Sequence, residues 1–183
     1  MVKIFIDPGH GGHDSGAAAG GLLEKNIVLD ISLQIQELLL VEYSNVQVQL
    51  SRTTDTFVSL GERVRRANLW GAHYFCSVHV NAGNGIGYED FVYNKLSNTS
   101  KTVKHQGVIN REIVKTTGLY NRGSKKANFE VLRGTKMSAI LTENGFIDNE
   151  INAHQLRDSA FINRIAIGHV SGFAQIFNLH KNN

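Results

Sequence analysis

The chain has 183 residues, a length typical of a single domain. Its 42% hydrophobic and 19% charged residues exclude a disordered chain, a collagen and a coiled coil. The single cysteine, Cys76, excludes an internal disulfide framework and a multi-cysteine zinc cluster, and the net charge of +3 is only mildly basic.

Hydrophobic periodicity predicts strands and helices that alternate along the chain. In chain order the pattern predicts a strand at 2–6, a helix at 24–41, a strand at 46–50, a helix from Ser59 to about Trp70, strands at 74–80 and 88–93, a helix at 100–117, short strands at 129–132 and 139–142, and a helix at 159–177. Ser59 and Glu62 fit a capping box, and Ser159 is positioned to cap the last helix. This alternation predicts an α/β fold, with one sheet and helices on both faces.

Four side chains that can bind metal or transfer protons fall near the ends of these elements. His10 follows the first strand, Glu24 opens the first long helix, His79 ends the run at 74–78, and Glu143 follows the run at 139–142. Ligands of open α/β sheets bind outside the carboxyl ends of the strands. The four side chains are therefore candidates for one site at that edge of the sheet.

A zinc site is the sharpest hypothesis for these residues. Catalytic zinc typically has three protein ligands, mostly His and carboxylate, and His10, Glu24 and His79 supply such a set. The spacing alone is weak support because no HExxH code is present, and a lone histidine is more often structural. Glu143 is equally compatible with general acid–base catalysis and with a structural role that caps or pairs with an arginine. The role of His13, close to this set, is left open.

Other chemistries are less favoured by the sequence. The glycine-rich loop at 9–16 has Asp14 where a dinucleotide-binding motif needs glycine, and no GxxxxGK[ST] is present. Cys76 and His79 are an odd number of residues apart on a strand, which places them on opposite faces. Ser77 shares a face with His79, but the chain has no GxSxG elbow.

Basic residues cluster in two short segments, Arg63, Arg65 and Arg66 in one and Lys125 and Lys126 in the other. We interpret both as solvated surfaces, with attraction to an anionic wall polymer as a weaker alternative. Nucleic-acid binding is not indicated, because no reading helix or RNP-type motif accompanies the modest charge.

Six short motifs occur in order along essentially the whole chain. They are Asp7-Pro8-Gly9-His10-Gly11-Gly12, Glu24-Lys25, Leu50-Ser51-Arg52, Ser77-Val78-His79-Val80-Asn81, Val131-Leu132-Arg133 and Leu141-Thr142-Glu143-Asn144-Gly145-Phe146-Ile147. Together they resemble the zinc-dependent N-acetylmuramoyl-L-alanine amidases of the type-3 class, which include autolysins, sporulation-associated lytic enzymes and phage endolysins. One departure is Ser138, where the family often has a proline.

The resemblance implies a single α/β domain with a twisted, mostly parallel sheet. It implies one Zn²⁺ held by His10, Glu24 and His79, with Glu143 as the catalytic general acid and base. The implied reaction is hydrolysis of the amide between the lactyl group of N-acetylmuramic acid and L-alanine of the stem peptide. Asn81 and Arg133 lie in family motifs and are candidates for substrate contacts, or equally for structural roles.

The implied partner is bacterial cell-wall peptidoglycan, and the implied site of action is the cell wall. We expect a monomer with an open groove, no nucleic-acid partner and no stable membrane insertion, since no apolar run approaches the ~20 residues needed to span a bilayer. The first residues have too short an apolar stretch for a signal peptide, so release would need lysis, a holin or another route. Residues 1–178 are the expected catalytic domain, and 179–183 a frayed tail or the start of a linker to a wall-binding module.

Two alternatives stay open at this level. One is a zinc peptidase that cuts within the stem peptide, which composition does not distinguish from an amidase. The other is a wall-binding module without catalysis, whose mark would be loss of a ligand or of the glutamate. All four residues are present in this chain.

Overall fold

Fourteen helices and strands follow one another in the computed structural model, which describes residues 1–182. In chain order they are β1 (Val2–Pro8), β2 (Ala18–Ala19), β3 (Leu22–Leu23), α1 (Glu24–Glu42), β4 (Val46–Leu50), α2 (Leu60–Trp70), β5 (Tyr74–Asn81), β6 (Tyr88–Tyr93), α3 (Lys101–Thr117), β7 (Asn121–Ala127), α4 (Glu130–Arg133), β8 (Ser138–Phe146), α5 (Glu150–Leu156) and α6 (Ser159–Phe177). Among these described helices, none has the length of apolar sequence that a bilayer crossing requires.

Six of the strands form one mixed sheet in the order β4-β1-β5-β8-β6-β7. β1 is parallel to β4 and β5, and β8 is parallel to β5. β6 runs antiparallel to β8 and parallel to β7. The predicted fold class, a mostly parallel sheet within one α/β domain, is confirmed.

Helices pack on both faces of the sheet because successive strand residues point to opposite sides. Ile4, Ile6 and Cys76 face one side, where they form the larger core with α1, α3 and α6. Phe5 and Phe75 face the other side and stack with centroids 5.8 Å apart, and α2 and α4 cover them. The second face carries the smaller of the two cores.

The strand predicted at 129–132 is wrong. This segment is the single helical turn α4, in which the carbonyl oxygen of Phe129 accepts hydrogen bonds from the amides of Leu132 and Arg133. Val131 and Leu132 are buried against α2 and β8. A short apolar run does not distinguish a buried strand from one buried helical turn.

Four elements were missed by periodicity: the two-residue strands β2 and β3, the edge strand β7 and the short helix α5. β7 carries Arg122, Lys125 and Lys126 and lies at an edge of the sheet, so it lacks the apolar alternation that identifies a half-buried strand. α5 is only seven residues long and begins after Asn149, whose side chain accepts from the amides of Ile151 and Asn152. The predicted strand at 139–142 extends further, to 138–146, so Glu143 lies within β8 rather than after it.

The capping predictions are partly wrong. Ser59 caps α2, and its Oγ accepts from the amide of Glu62 at 3.3 Å. The Glu62 carboxylate does not complete a capping box, because it pairs with Arg65 and Arg66 instead. The last helix is capped by Asp158, one residue before the predicted Ser159.

Residues 179–182 pack against the segment that joins α1 to β4. The carbonyl of His180 accepts from the amide of Ser44, and the amide of Asn182 donates to the carbonyl of Glu42. The predicted fraying therefore does not hold for 180–182, while Asn183 lies outside the described residues. The domain boundary at 178 stays a prediction.

A buried carboxylate links β6 to α3. Asp90 is fully buried; its Oδ1 accepts from Gln106 Nε2 at 2.8 Å and its Oδ2 from Asn110 Nδ2 at 2.9 Å. Burial raises the pKa of Asp90 to about 6, although these hydrogen bonds favour the charged form. Ionisation of this buried carboxylate therefore lowers the free energy of unfolding.

We expect the wild-type free energy of unfolding to fall, relative to that of Asp90→Asn, by about 3 kcal/mol from about pH 4 to about pH 7. The carboxyl keeps its proton to about pH 6 in the folded chain and loses it near 3.8 when unfolded. Its stabilising contribution is therefore present at low pH and lost as the pH rises through 6. Urea denaturation of both proteins measures the difference, and parallel curves would contradict the burial argument.

Candidate metal centre

Three side chains of metal-ligating type converge at the carboxyl ends of β1 and β5. One ligand atom from each of His10, Glu24 and His79 lies within 4.8 Å of the others. His10 Nε2 is 3.1 Å from Glu24 Oε2, and His79 Nδ1 is 2.9 Å from Glu24 Oε1. The structure therefore brings together the three predicted ligands.

The topology explains this convergence. β1 and β5 are parallel neighbours, so His10, just past β1, and His79, near the end of β5, reach the same edge. Glu24 is the first residue of α1, whose axis starts there. Glycines make room: a Cβ at Gly9 would overlap the His79 imidazole, and a Cβ at Gly16 would lie 2.6 Å from Glu24 Oε2.

Glu24 is the most constrained of the three. Its Oε2 accepts from the amide of Ala17 at 2.8 Å, and its Oε1 accepts from the amide of Val80 at 3.0 Å. Burial alone raises the pKa of Glu24, but the hydrogen bonds from His10 and His79 outweigh burial and hold the pKa well below its usual range. The carboxylate is therefore charged and fixed in orientation.

The chemistry of the three side chains fits a zinc ion, because two imidazoles and a carboxylate are a common set of zinc ligands in proteins. Asp14 Oδ2 lies 2.9 Å from His10 Nδ1, so the other ring nitrogen, Nε2, faces Glu24. A carboxylate behind a histidine ligand is the usual means of fixing its tautomer.

Glu143 adjoins this cluster through the sheet register. It is the β8 partner of His79 on β5 and of Glu89 on β6, so all three side chains lie on one face. Its Oε2 is buried and has no hydrogen-bond partner within residues 1–182. Burial raises the pKa of Glu143 well above its usual range, and the charges of Glu24 and Glu89 raise it further. A carboxyl in this environment is suited to accept and donate a proton.

Two buried arginines, which sequence reasoning missed, hold the loop that carries His10. Arg63 pairs with Asp7 at 2.7 Å and donates to the carbonyls of Pro8 and His10, while Arg52 donates to the carbonyls of Pro8 and Gly9. The interpretation of Arg63 as a solvated surface residue is wrong, since it is 2% exposed. A signal for its burial, though not for its partner, was available in the sequence: Arg63 precedes Ala67 by four residues, so both lie on one face of α2.

The two predicted substrate contacts lie in different places. Asn81 lines the cleft, and its Nδ2 donates to Glu89 Oε1 at 3.0 Å. Arg133 donates to the carbonyl and side chain of Asn128 and lines a separate depression near the start of β8. A substrate role for either residue stays a prediction.

The nucleophile alternatives find no support at this site. Cys76 is buried in the larger core, and burial raises the pKa of its thiol, which favours the neutral form. Ser77 donates to Asp7 Oδ2 at 2.8 Å and is buried. The ring centroids of His13 and Phe57 are 4.2 Å apart, with the rings tilted by 32°. His13 does not belong to the group formed by His10, Glu24 and His79.

The cluster opens into a cleft of about 470 Å³. One wall carries the partly exposed apolar side chains of Phe57, Leu60 and Phe129. His10, Glu24, His79 and Glu143 form a polar floor.

The chain is similar to known proteins over nearly its full length. Residues 4–175 match the family described as N-acetylmuramoyl-L-alanine amidase. The chain is 53% identical to N-acetylmuramoyl-L-alanine amidase CwlM of Bacillus licheniformis, covering 100% of this chain and 71% of that protein. It is 48% identical to the sporulation-specific N-acetylmuramoyl-L-alanine amidase of Bacillus subtilis, over 99% of this chain and 70% of that protein.

A solved structure shows the same fold. The N-acetylmuramoyl-L-alanine amidase from Clostridium difficile 630 superposes with a TM-score of 0.92 at 33% identity, covering 97% of each chain. The chain belongs to the N-acetylmuramoyl-L-alanine amidase family and is an enzyme of that class. The predicted resemblance and enzyme class are confirmed.

We expect Arg63→Met to lower the free energy of unfolding by about 3–5 kcal/mol, because it leaves the Asp7 carboxylate buried without its cation. Arg65→Met on the same helix is the matched control; its side chain is 60% exposed, and the free energy should stay within experimental error. Urea denaturation of the two variants measures the difference. Equal losses would show that the buried pair is not the cause.

Proposed function

We propose that this enzyme is a zinc-dependent peptidoglycan hydrolase that cleaves the amide between the lactyl group of N-acetylmuramic acid and L-alanine of the stem peptide. The observation that carries the proposal is the close grouping of His10, Glu24 and His79 beside the partnerless, buried Oε2 of Glu143. Membership in the amidase family supports the choice of this amide as the scissile bond.

His10, Glu24 and His79 would hold one zinc ion, which when bound activates water and polarises the scissile carbonyl. Glu24 keeps its carboxylate charged and oriented through the amides of Ala17 and Val80. Asp14 Oδ2 faces His10 Nδ1, and a proton held on that nitrogen would leave Nε2 to bind the metal.

Glu143 would transfer the protons. Its carboxylate accepts a proton from the attacking water and then donates it to the departing alanine nitrogen. Its raised pKa makes the carboxylate a stronger base towards the attacking water. The two carboxylates thus have different roles, Glu24 binding metal and Glu143 moving protons.

The wider context of the enzyme is part of the same proposal. We place its action at the bacterial cell wall, as a monomer, with residues 1–178 as the catalytic domain and 179–183 as a tail or linker. Asn81, which lines the cleft, remains a candidate for substrate contact. Arg133, which lies outside the cleft, remains a second candidate.

Glu143→Gln should keep its zinc and lose kcat by roughly 10²-fold or more, the usual scale for losing general acid–base catalysis. The amide is nearly isosteric with the carboxyl but cannot take up a proton. Metal content by atomic absorption and turnover on purified peptidoglycan test this, with Glu150→Gln on α5 as a control that should match the wild type. Wild-type turnover in zinc-loaded Glu143→Gln would refute the role of Glu143.

Peptidoglycan digestion followed by mass spectrometry tests both which bond is cleaved and whether cleavage needs zinc. We expect stem peptides with a free L-alanine amine and intact glycan strands, and no products after zinc chelation. His79→Ala should bind little zinc and yield no products. Cuts inside the stem peptide would favour a peptidase, and a folded, zinc-loaded protein that cuts nothing would favour a binding module.

A further inference from the structure

A pair of cations lies beside the cleft, outside the candidate metal centre. Arg122 Nε and Lys125 Nζ each donate to Glu89 Oε2 at 2.6 Å, and Asn81 from the cleft donates to the other oxygen, Oε1. Glu89 is 5% exposed, whereas the side chains of Arg122 and Lys125 are 31% and 40% exposed. One buried carboxylate therefore holds two accessible cations in fixed positions.

The backbone of β7 is shaped to bring both cations to this place. Residues 122 and 125 are an odd number apart, so a regular strand would point their side chains to opposite faces. The pairing of β7 with β6 shifts register between Tyr88 and Asp90, and Gly123 has a φ of 88°. Both side chains reach Glu89 because of this bulge. Bulges of this kind often re-aim side chains next to active sites.

Glu89 does not exhaust the hydrogen-bonding capacity of these cations. Neither Nη nitrogen of Arg122 has a partner within the described chain, and Lys125 Nζ has only Glu89. Two positive charges against one carboxylate leave a net charge of +1 at the edge of the cleft. A guanidinium with free Nη groups matches the two oxygens of a carboxylate ligand.

We propose that Arg122 and Lys125 bind a carboxylate on the peptide arm of the substrate, on the second residue beyond the scissile amide. Glu89 and Asn81 are positioning residues for this pair. The inference rests on the proposed function, which places the scissile amide at His10, Glu24 and His79. It adds a preference for free over amidated carboxyl groups.

The spacing of the strands agrees with this assignment. His79, Glu143 and Glu89 are register partners on three adjacent strands, so Glu89 lies about 10 Å from His79 across the sheet. An extended peptide advances about 3.5 Å per residue, which puts the second residue about 7 Å from the scissile bond. Arg122 and Lys125 contact Glu89, so a peptide that runs across the strands from His79 towards β6 brings its second residue near them.

The test compares two cleavable substrates, N-acetylmuramoyl-L-alanyl-D-glutamate and the same compound with the α-carboxyl of its second residue amidated. We expect wild-type kcat/KM to be about 10-fold or more higher for the free acid, the scale of a charge-assisted hydrogen bond. Arg122→Gln and Lys125→Gln should each reduce this ratio, and the double variant should bring it close to one. The ratio within one variant cancels any loss of active protein.

Lys126→Gln is the matched control. Lys126 neighbours Lys125 but contacts Leu96 and Asn98, away from the cleft, so its substitution should leave the ratio unchanged. A second conservative variant, Arg122→Lys, keeps the charge without the guanidinium fork and should restore part of the preference. An equal ratio for wild type and the double variant would overturn the proposal.

A binding measurement separates this inference from the proposed function. Calorimetry with the Glu143→Gln variant needs no cleavage, and we expect the free acid to bind about 10-fold more tightly than the amide, with a difference that shrinks as salt is added. Discrimination in binding without any cleavage by wild type would refute the amidase proposal alone. Cleavage of both substrates with equal binding, or no binding of the free acid, would refute the carboxylate site alone.

Discussion

The buried ion pair between Asp7 and Arg63 is the interaction on which the rest of the site depends. Asp7 lies near the end of β1, and Arg63 reaches it from α2 with a side chain that is 3% exposed. The same guanidinium donates to the carbonyls of Pro8 and His10, so the pair sets the path of the chain beyond the strand. Removing charges from water is costly, and the cost is offset here by hydrogen bonds to every available side of the guanidinium. The position of His10 follows from that arrangement.

The environment, rather than the residue type, distinguishes the carboxylates of the cleft. The Glu24 carboxylate accepts hydrogen bonds from two backbone amides. It also faces two imidazoles, and their hydrogen bonds hold its pKa low despite burial. Glu143 has burial and two neighbouring negative charges instead, and its pKa is raised. Glu89 faces two cations, which hold its pKa low despite burial. Two glutamates on adjacent strands and one at a helix terminus thus have three different electrostatic environments.

Local sequence patterns were sufficient to predict the fold class. With the family resemblance, they also predicted that His10, Glu24 and His79 lie close together. Buried runs end where polar residues begin, and parallel strands bring such ends to one edge. The contributions of Arg63 and Glu89 were not predictable in the same way. Each depends on a partner distant in sequence, Asp7 in one case and Arg122 with Lys125 in the other. β7 was missed for a related reason: its polar side chains make sense only beside Glu89, and without that partner they resemble a surface loop.

The bulge in β7 has a further effect at the border of the sheet. An edge strand exposes unpaired amides and carbonyls that can template another strand, and natural proteins protect such edges with charges, bulges or irregular backbone. β7 has all three, with Arg122, Lys125 and Lys126 around the left-handed Gly123. The edge that bears the cations is therefore poorly suited to pairing with a strand of a second molecule.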